Sequence, residues 1–312
     1  MRLPRLVPDD IHIPFMAWRR PFLAGSLLLM LLSAVLAWVP GLNFGIDFRG
    51  GSLVELRLDK PADLAELRQI LGGLGLGQVQ LQHFGSERDV LVRIERQEGE
   101  PEVQLAAIEK VKQALRARYG DGVEFRRSEF VGPKVSGELF WAGVLAVTIA
   151  LALVLVYIWF RFEWQFGAGA ILALLHDVLT TIGVFVVTGY EFNLATVAAI
   201  LTIVGYSLND TVVIYDRIRE NLRRYKTLEI AELIDRSLNE TLARTLMTSI
   251  TTLIALIVLF VVGPEVIEGF LFAMIWGVLS GTYSSVYLAA PVLIYFDLKS
   301  VLARERAAAT AP

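Results

Sequence analysis

Residues 205–221 read GYSLNDTVVIYDRIREN. The run starts inside an apolar stretch that opens near Leu194, and it leaves that stretch in a burst of charge at Asp216, Arg217, Arg219 and Glu220. Asn209 and Asp210 are thereby carried into hydrocarbon. A carboxylate at that depth is costly unless it is paired, protonated or solvated by a cavity, so Asp210 marks a functional site inside a membrane span. The competing reading is a satisfied structural acid between packed helices.

The rest of the chain supports a membrane setting. It has 312 residues, is 55% hydrophobic and has a mean hydropathy of +0.55, too apolar for a soluble domain. Six stretches approach the ~20 apolar residues that a span needs. They lie near 21–39, 138–160, 166–189, 194–215, 245–262 and 269–296. The first is preceded by Arg19 and Arg20, is too long for a cleaved signal, and reads as an uncleaved anchor. The net charge of −3 carries no basic signal, so nucleic acid is not an expected partner. The chain has no cysteine, which excludes disulfides and thiolate metal sites.

The flanking charges set an orientation. Arg19 and Arg20 precede span one, Arg161 follows span two, Arg217, Arg219, Arg223, Arg224 and Lys226 follow span four, and Lys299, Arg304 and Arg306 follow span six. The other two short connections hold Glu191, and Glu265 with Glu268, without Lys or Arg. Both termini are therefore expected in the cytoplasm. Residues 1–42 are a cytoplasmic segment with the first span, 134–298 the remaining five-helix bundle and 299–312 a cytoplasmic tail.

The segment 43–133 then lies outside as the one sizeable soluble domain. Ser52–Leu58, Gln78–His83, Val90–Arg96 and Val123–Phe130 alternate as strands; Pro61–Leu71 and Pro101–Arg118 read as helices. The order β-α-β-β-α-β is that of a ferredoxin-like unit. The predicted fold class is thus an α-helical membrane protein with six transmembrane helices and an α+β ferredoxin-like extracytoplasmic domain between helices one and two. Gly45, Asp47, Gly50 and Gly51 lie in the stretch NFGIDFRGG, residues 43–51, at the entry to this domain. No GxxxxGK[ST] pattern surrounds these glycines, so they read as a tight structural turn and not a phosphate cradle. His12 and His83 stand alone as solvated histidines, and no metal constellation is present.

Inside the spans, His176 and Asp177 sit near the middle of the third, Asn209 and Asp210 in the cytoplasmic half of the fourth, and Arg244 opens the fifth. Acids and a guanidinium on neighbouring spans can form a proton relay, in which Arg holds or releases the charge of an acid and does not itself titrate. Arg244 could instead snorkel to the interface, and His176 reads first as a hydrogen-bonded packing residue. Asp216, Arg217, Arg219 and Glu220 read as interfacial ion pairs. The linker 217–243 reads as an amphipathic helix on the membrane surface or on neighbouring spans. Gly277 and Gly281, with Ser280 and Ser284, form a close-packing face within this chain or against another.

Three stretches also carry a family resemblance. GYSLNDTVVIYDRIREN resembles the signature of the SecF family, the smaller membrane subunits of the SecDF complex of bacterial protein export. FGIDFRGG, residues 44–51, resembles an element that follows the first span in SecD and SecF, and Arg244-Thr245-Leu246-Met247-Thr248-Ser249 resembles the start of the family's fifth helix. Arg49 departs from the family, which mostly carries a small polar residue there. The resemblance implies half of a resistance-nodulation-division transporter, in the bacterial inner membrane, with SecD as partner. Beyond SecD it implies the SecYEG translocase, YajC and YidC, emerging polypeptide and membrane lipid. It implies export driven by the proton motive force, with Asp210 in proton use, Arg244 as its partner and Asp177 and Asn209 beside them. No cofactor and no enzymatic chemistry are implied. Two other readings stay open: a proton-driven small-molecule or lipid exporter of that superfamily, and a passive scaffold of the export channel.

Overall fold

The structure is a computed structural model and describes residues 12–296 and 298, except 40, 85, 98 and 100. The expected tail 299–312, with Lys299, Arg304 and Arg306, lies outside the described residues, as do residues 1–11. Contacts divide the chain into two units: residues 1–43, 146–190 and 195–312 form one, and 44–145 with 191–194 form the other.

The first unit is a helical bundle. Six helical stretches are long and apolar enough to cross a membrane: Phe15–Trp38, Lys134–Arg161, Trp164–Thr188, Leu194–Arg224, Ile230–Val262 and Glu268–Tyr295. They contain α1 (Arg19–Trp38), α5 (Pro133–Arg161), α6 (Trp164–Thr188), α7 (Leu194–Arg224), α8 (Ile230–Val262) and α9 (Glu268–Ser284); the shorter α2 to α4, with the start of α5 as far as Leu145, belong to the other unit. The third, fourth and sixth spans carry the buried side chains, while the first, second and fifth are exposed over most of their length. Where helices approach closely, small residues allow it. A Cβ on Gly183 of α6 would collide with Ser33 of α1, and one on Gly277 of α9 with Ile203 of α7.

Two elements differ from the sequence reading. The linker helix expected over 217–243 is divided: α7 runs on to Arg224, a turn follows, and α8 continues unbroken from Ile230 into span five. No Gly or Pro occurs between Tyr206 and Val262, so nothing in the chain stops either helix at the membrane surface. The apolar residues of this region lie on neighbouring helices: Leu233, Ile234 and Leu238 join Ile214, Ile218, Leu222, Phe15 and Met16 in one buried cluster. The N-terminal turn is fastened to the same helix, because the backbone N–H of Met16 donates to Asp235 (2.8 Å) and Ile13 exchanges two hydrogen bonds with Asn239. The sixth span, placed near 269–296 from the sequence, passes from α9 into a π-helical turn, Ser285–Ala289. Pro291 follows, which has no N–H for the Tyr287 carbonyl and so breaks the regular ladder.

The second unit holds a four-stranded antiparallel sheet in the order β2-β3-β1-β4, with β1 Gly51–Leu58, β2 Val79–Phe84, β3 Ser86–Ile94 and β4 Val123–Val131. Helix α3 (Leu64–Gly72) connects β1 to β2, and α4 (Pro101–Tyr119) connects β3 to β4. Helix α3 starts later than Pro61 suggests, because the Asp63 carboxylate caps it by accepting from the N–H of Ala65 (2.8 Å). Val54, Leu56, Val90 and Val92 pack with Leu67, Leu71, Val111 and Leu115 of the two helices. Alternation puts Leu53, Arg57, Asp89 and Leu91 on the other face of the strands. Arg57 stands opposite Asp89 and donates two hydrogen bonds to it (2.7 and 2.6 Å). His12 and His83 are both exposed.

The entry stretch forms a single helical turn, α2 (Ile46–Arg49), closed by Gly50 at φ 71° and Gly51 at φ 110°. A Cβ on Gly51 would lie 2.7 Å from the Ile94 carbonyl oxygen, so the turn needs glycine for its backbone angle and for its closeness to β3. Within the same unit, Gly45 N–H donates to the Phe192 carbonyl (2.9 Å) and the Asp47 carboxylate accepts the N–H of Leu194, the first residue of α7 (2.9 Å). Phe44, Phe48, Phe140 and Phe192 form an aromatic cluster around these bonds. The turn is thus also a helix cap, a role its glycines do not announce.

Candidate functional site in the membrane bundle

Two groups of polar residues in the spans are each built around a buried acid. The first is centred on Asp177, which is fully buried on α6. Ser207 of α7 and Ser284 of α9 donate to its Oδ2 (2.7 and 2.8 Å). Ser280 donates to Oδ1 (2.6 Å), and His176 Nδ1 lies 3.1 Å from the same oxygen. A carboxylate offers about four lone-pair positions, and four partners occupy them. The geometry follows from helical periodicity: Ser280 and Ser284 are four residues apart and share a face, and Gly281 brings that face against α7, where an added Cβ would lie 2.9 Å from Ser207 Cβ. Thr181 donates to the Asp177 carbonyl (2.7 Å), so its own backbone is also engaged.

The second group surrounds Asp210. It is only 3% exposed, and its Oδ2 has no hydrogen-bond partner among the described residues. The neighbouring polar groups come from α8: the Arg244 guanidinium acts on the carboxyl electrostatically and the Thr248 side chain lies within hydrogen-bonding reach. Asn209 and Arg244 are themselves exposed. Asp210 is thus a buried acid with exposed neighbours, whereas the partners of Asp177 are all buried.

Each residue singled out in the sequence can now be placed. Asp210 and Arg244 come together; Asp177 does not join them but heads its own cluster, and Asn209 faces outward. Gly277 and Gly281 are buried against α7 of this same chain, so their face is not available to another subunit. At the membrane exit, Arg161 pairs with Asp216 (2.6 Å), Arg217 with Glu220 (2.6 Å) and Glu240 (2.7 Å), and Arg219 with Glu163 (3.1 Å). Sequence reasoning missed Ser207, Ser280 and Ser284 as donors to a carboxylate. The signal was present in the serines at i and i+4 beside glycines, on a span that must pack against an acid.

The comparisons with known proteins agree with this architecture. A family described as "Protein export membrane protein SecD/SecF, C-terminal" matches residues 110–299, and the "SecD/SecF GG Motif" matches residues 35–62, which include the Gly50–Gly51 turn. Protein translocase subunit SecF of Rickettsia felis is 45% identical over 292 residues, 94% of this chain and 94% of that protein. The chain belongs to the SecF family. The SecF of Rickettsia prowazekii is similar at 44% identity, covering 94% of this chain and 93% of its own length. Among solved structures, the translocon-associated membrane protein SecDF of Thermus thermophilus superposes with a TM-score of 0.85 at 36% identity over 94% of this chain. SecDF in its super-membrane-facing form gives 0.67 at 33% identity over 95% of this chain. The chain spans 40% of each of these SecDF chains. The family is one of translocase subunits and not of enzymes, and with six apolar helices the chain is a multi-pass membrane protein.

Proposed function

We propose that the chain is an accessory subunit of the Sec protein translocase that works with SecD and uses the proton motive force to promote late steps of polypeptide export across the inner membrane. The observation that carries this reading is the Asp210 carboxyl. It is buried on a membrane helix, one oxygen is unpartnered, and a guanidinium of the next helix lies within electrostatic reach. Protonation removes the charge that Arg244 faces, and helix positions that differ in this contact then differ in free energy. A proton delivered from one side can thereby shift the bundle between states. Asp177 serves in this scheme as the fixed point beside the carrier, and Asn209 lies on the outward surface where a partner helix would meet α7.

SecD is supported as that partner by the similar SecDF chains, 40% of whose length this chain spans, and by the exposed lengths of spans one, two and five. The wider partners proposed are the SecYEG translocase, YajC, YidC and the emerging unfolded polypeptide. The unit around 43–133 is proposed as a ferredoxin-like extracytoplasmic domain, with both termini cytoplasmic. The strand order with a helix after β1 and after β3 supports the first part, and the arginine-rich flanks support the second. The chain has no cysteine, so orientation is testable by single Glu124→Cys and Thr227→Cys variants in intact cells. An impermeant thiol reagent should label Glu124→Cys and leave Thr227→Cys unlabelled; the reverse pattern would overturn the orientation.

The function is tested with proteoliposomes that contain the translocase and SecD, with and without this chain, under an imposed proton gradient. Export should rise with the gradient only when the chain is present. A gain that is independent of the gradient would favour the passive scaffold. Transport of a small hydrophobic substrate without any effect on polypeptide would favour an exporter.

A further inference from the structure

A cavity of about 430 Å³ opens where α5 and α7 leave the membrane, and nothing in the export scheme uses it. It is lined by Arg161, Asp216, Arg219, Glu220, Arg223 and Arg224. Guanidiniums outnumber carboxylates there by four to two, and both carboxylates are already engaged: Asp216 by Arg161 (2.6 Å) and Glu220 by Arg217 (2.6 Å), which stands outside the lining. Arg219 adds a bond to Glu163 (3.1 Å), and Arg224 makes no ion pair among the described residues, resting instead over the Tyr225 ring (5.3 Å). By composition alone, four guanidiniums against two carboxylates give the lining a formal charge of +2, while Arg219 and Arg223 each have further partners.

Its depth is set by two independent features. Helix α7 has 31 residues, ~46 Å at the usual rise, and exceeds a ~30 Å hydrocarbon layer by about ten residues. The excess corresponds to its charged end, 216–224. Around Arg161, the side chains of Tyr157, Trp159, Phe160 and Trp164 are all exposed, with Phe160 at 88%. A run of exposed aromatics at a helix end is the pattern of side chains seated at headgroup level. A concave, arginine-rich site at that level matches a phosphate ester: guanidinium binds its oxygens in a planar two-pronged fashion.

We propose that this cavity binds the phosphate of an anionic phospholipid headgroup, whose acyl chains lie along α5 beside the exposed aromatics. The bound lipid would fill the gap between the ends of α5 and α7.

The test uses the full chain with its SecD subunit in nanodiscs that contain phosphatidylcholine and phosphatidylglycerol, with retained lipid counted by native mass spectrometry. The expected loss of phosphatidylglycerol retention is about fivefold for Arg224→Gln and about 25-fold for Arg161→Gln/Arg224→Gln, from the usual worth of a basic residue at an anionic surface. Asp216→Asn removes a competing carboxylate and should raise retention by about fivefold. Opposite signs in these variants distinguish a binding site from a folding defect. Equal retention in wild type and both arginine variants would overturn the proposal. A free-phosphate arm repeats the competition in detergent. If inorganic phosphate displaces short-chain phosphatidylglycerol at equal concentration, the site takes free phosphate and the lipid reading fails; failure to displace supports it.

Discussion

Two acids lie buried in the same bundle and their surroundings are opposite. Asp177 has partners on every side: three serine hydroxyls from two other helices and the imidazole of its own neighbour. Asp210 has an unpartnered oxygen, and a guanidinium that acts on it from a distance. Moving α6, α7 and α9 apart at Asp177 would orphan several groups together, and each buried polar group left unmade costs about 1–3 kcal/mol. Moving α7 against α8 at Asp210 orphans far less. A carboxylate that gates a movement needs the second kind of environment, and one that holds a bundle in register needs the first.

The largest effect that would break this comparison is functional. Asp210→Asn keeps the shape of the side chain and removes its charge, so assembly with SecD should persist while the whole gradient-dependent part of export is lost. Export rate against imposed gradient, at matched protein levels, checks this. A slope equal to wild type would end the carrier reading. Arg244→Met should impair the same step, because the buried acid loses the guanidinium of α8 that acts on it.

The next effect is on stability. Asp177→Ala should destabilise the bundle by about 2–4 kcal/mol, through the cavity and the serine donors left without their acceptor. Asp177→Asn should cost much less, because the amide fills the same space and hydroxyls can reverse to accept from it. It should also leave the gradient slope intact, in contrast to Asp210→Asn. Unfolding in mixed detergent, read alongside the export assay, separates the two acids. A flat gradient response in a well-folded Asp177→Asn protein would merge the two sites into one relay.

Gly281→Ala gives a smaller and more local test. The new methyl would meet Ser207 and push the Ser280–Ser284 face away from Asp177, at about 1–3 kcal/mol. Complex formation with SecD should survive, since this face is filled by α7 of the same chain. Loss of the complex with the fold intact would mean that the face serves the partner after all.

The sequence allowed the six apolar helices, the strand-helix order of the second unit and the burial of Asp210 to be read, because hydropathy and periodicity are local properties. Three features escaped it. The serine ring around Asp177 joins residues 30 to 107 positions apart, and no local pattern reports which donor meets which acid. The π-helical turn before Pro291 reads in sequence as continuous apolar helix. The cap that Asp47 places on Leu194 bridges 147 positions, so the motif reads as a turn until the fold brings its partner to it.

A third buried acid, outside the spans, sharpens the comparison by changing its solvent. Asp89 is fully buried on the sheet, but its partners are cations at the domain surface: Arg57 through two hydrogen bonds and Arg126 at 3.3 Å, with Ser86 donating at 2.5 Å. The Arg57 hydrogen bonds, helped by Ser86 and Arg126, hold its carboxyl below the ordinary carboxylate pKa despite burial. A depressed folded-state value stabilises the domain at any pH above the unfolded value of about 4, and this contribution drains away as pH falls through the folded value. Water can reach Arg57, whose side chain is 41% exposed, so the pair is worth less than a sealed one. Asp89→Asn should therefore cost only about 1–2 kcal/mol at neutral pH, and the cost should shrink below pH 4 as the wild-type acid protonates. Hydrogen-exchange protection of the β1 and β3 amides, normalised to the intrinsic rate at each pH, reads this in the full chain. A penalty that stays constant down to the most acidic condition would mean that Asp89 holds the sheet by shape and not by charge.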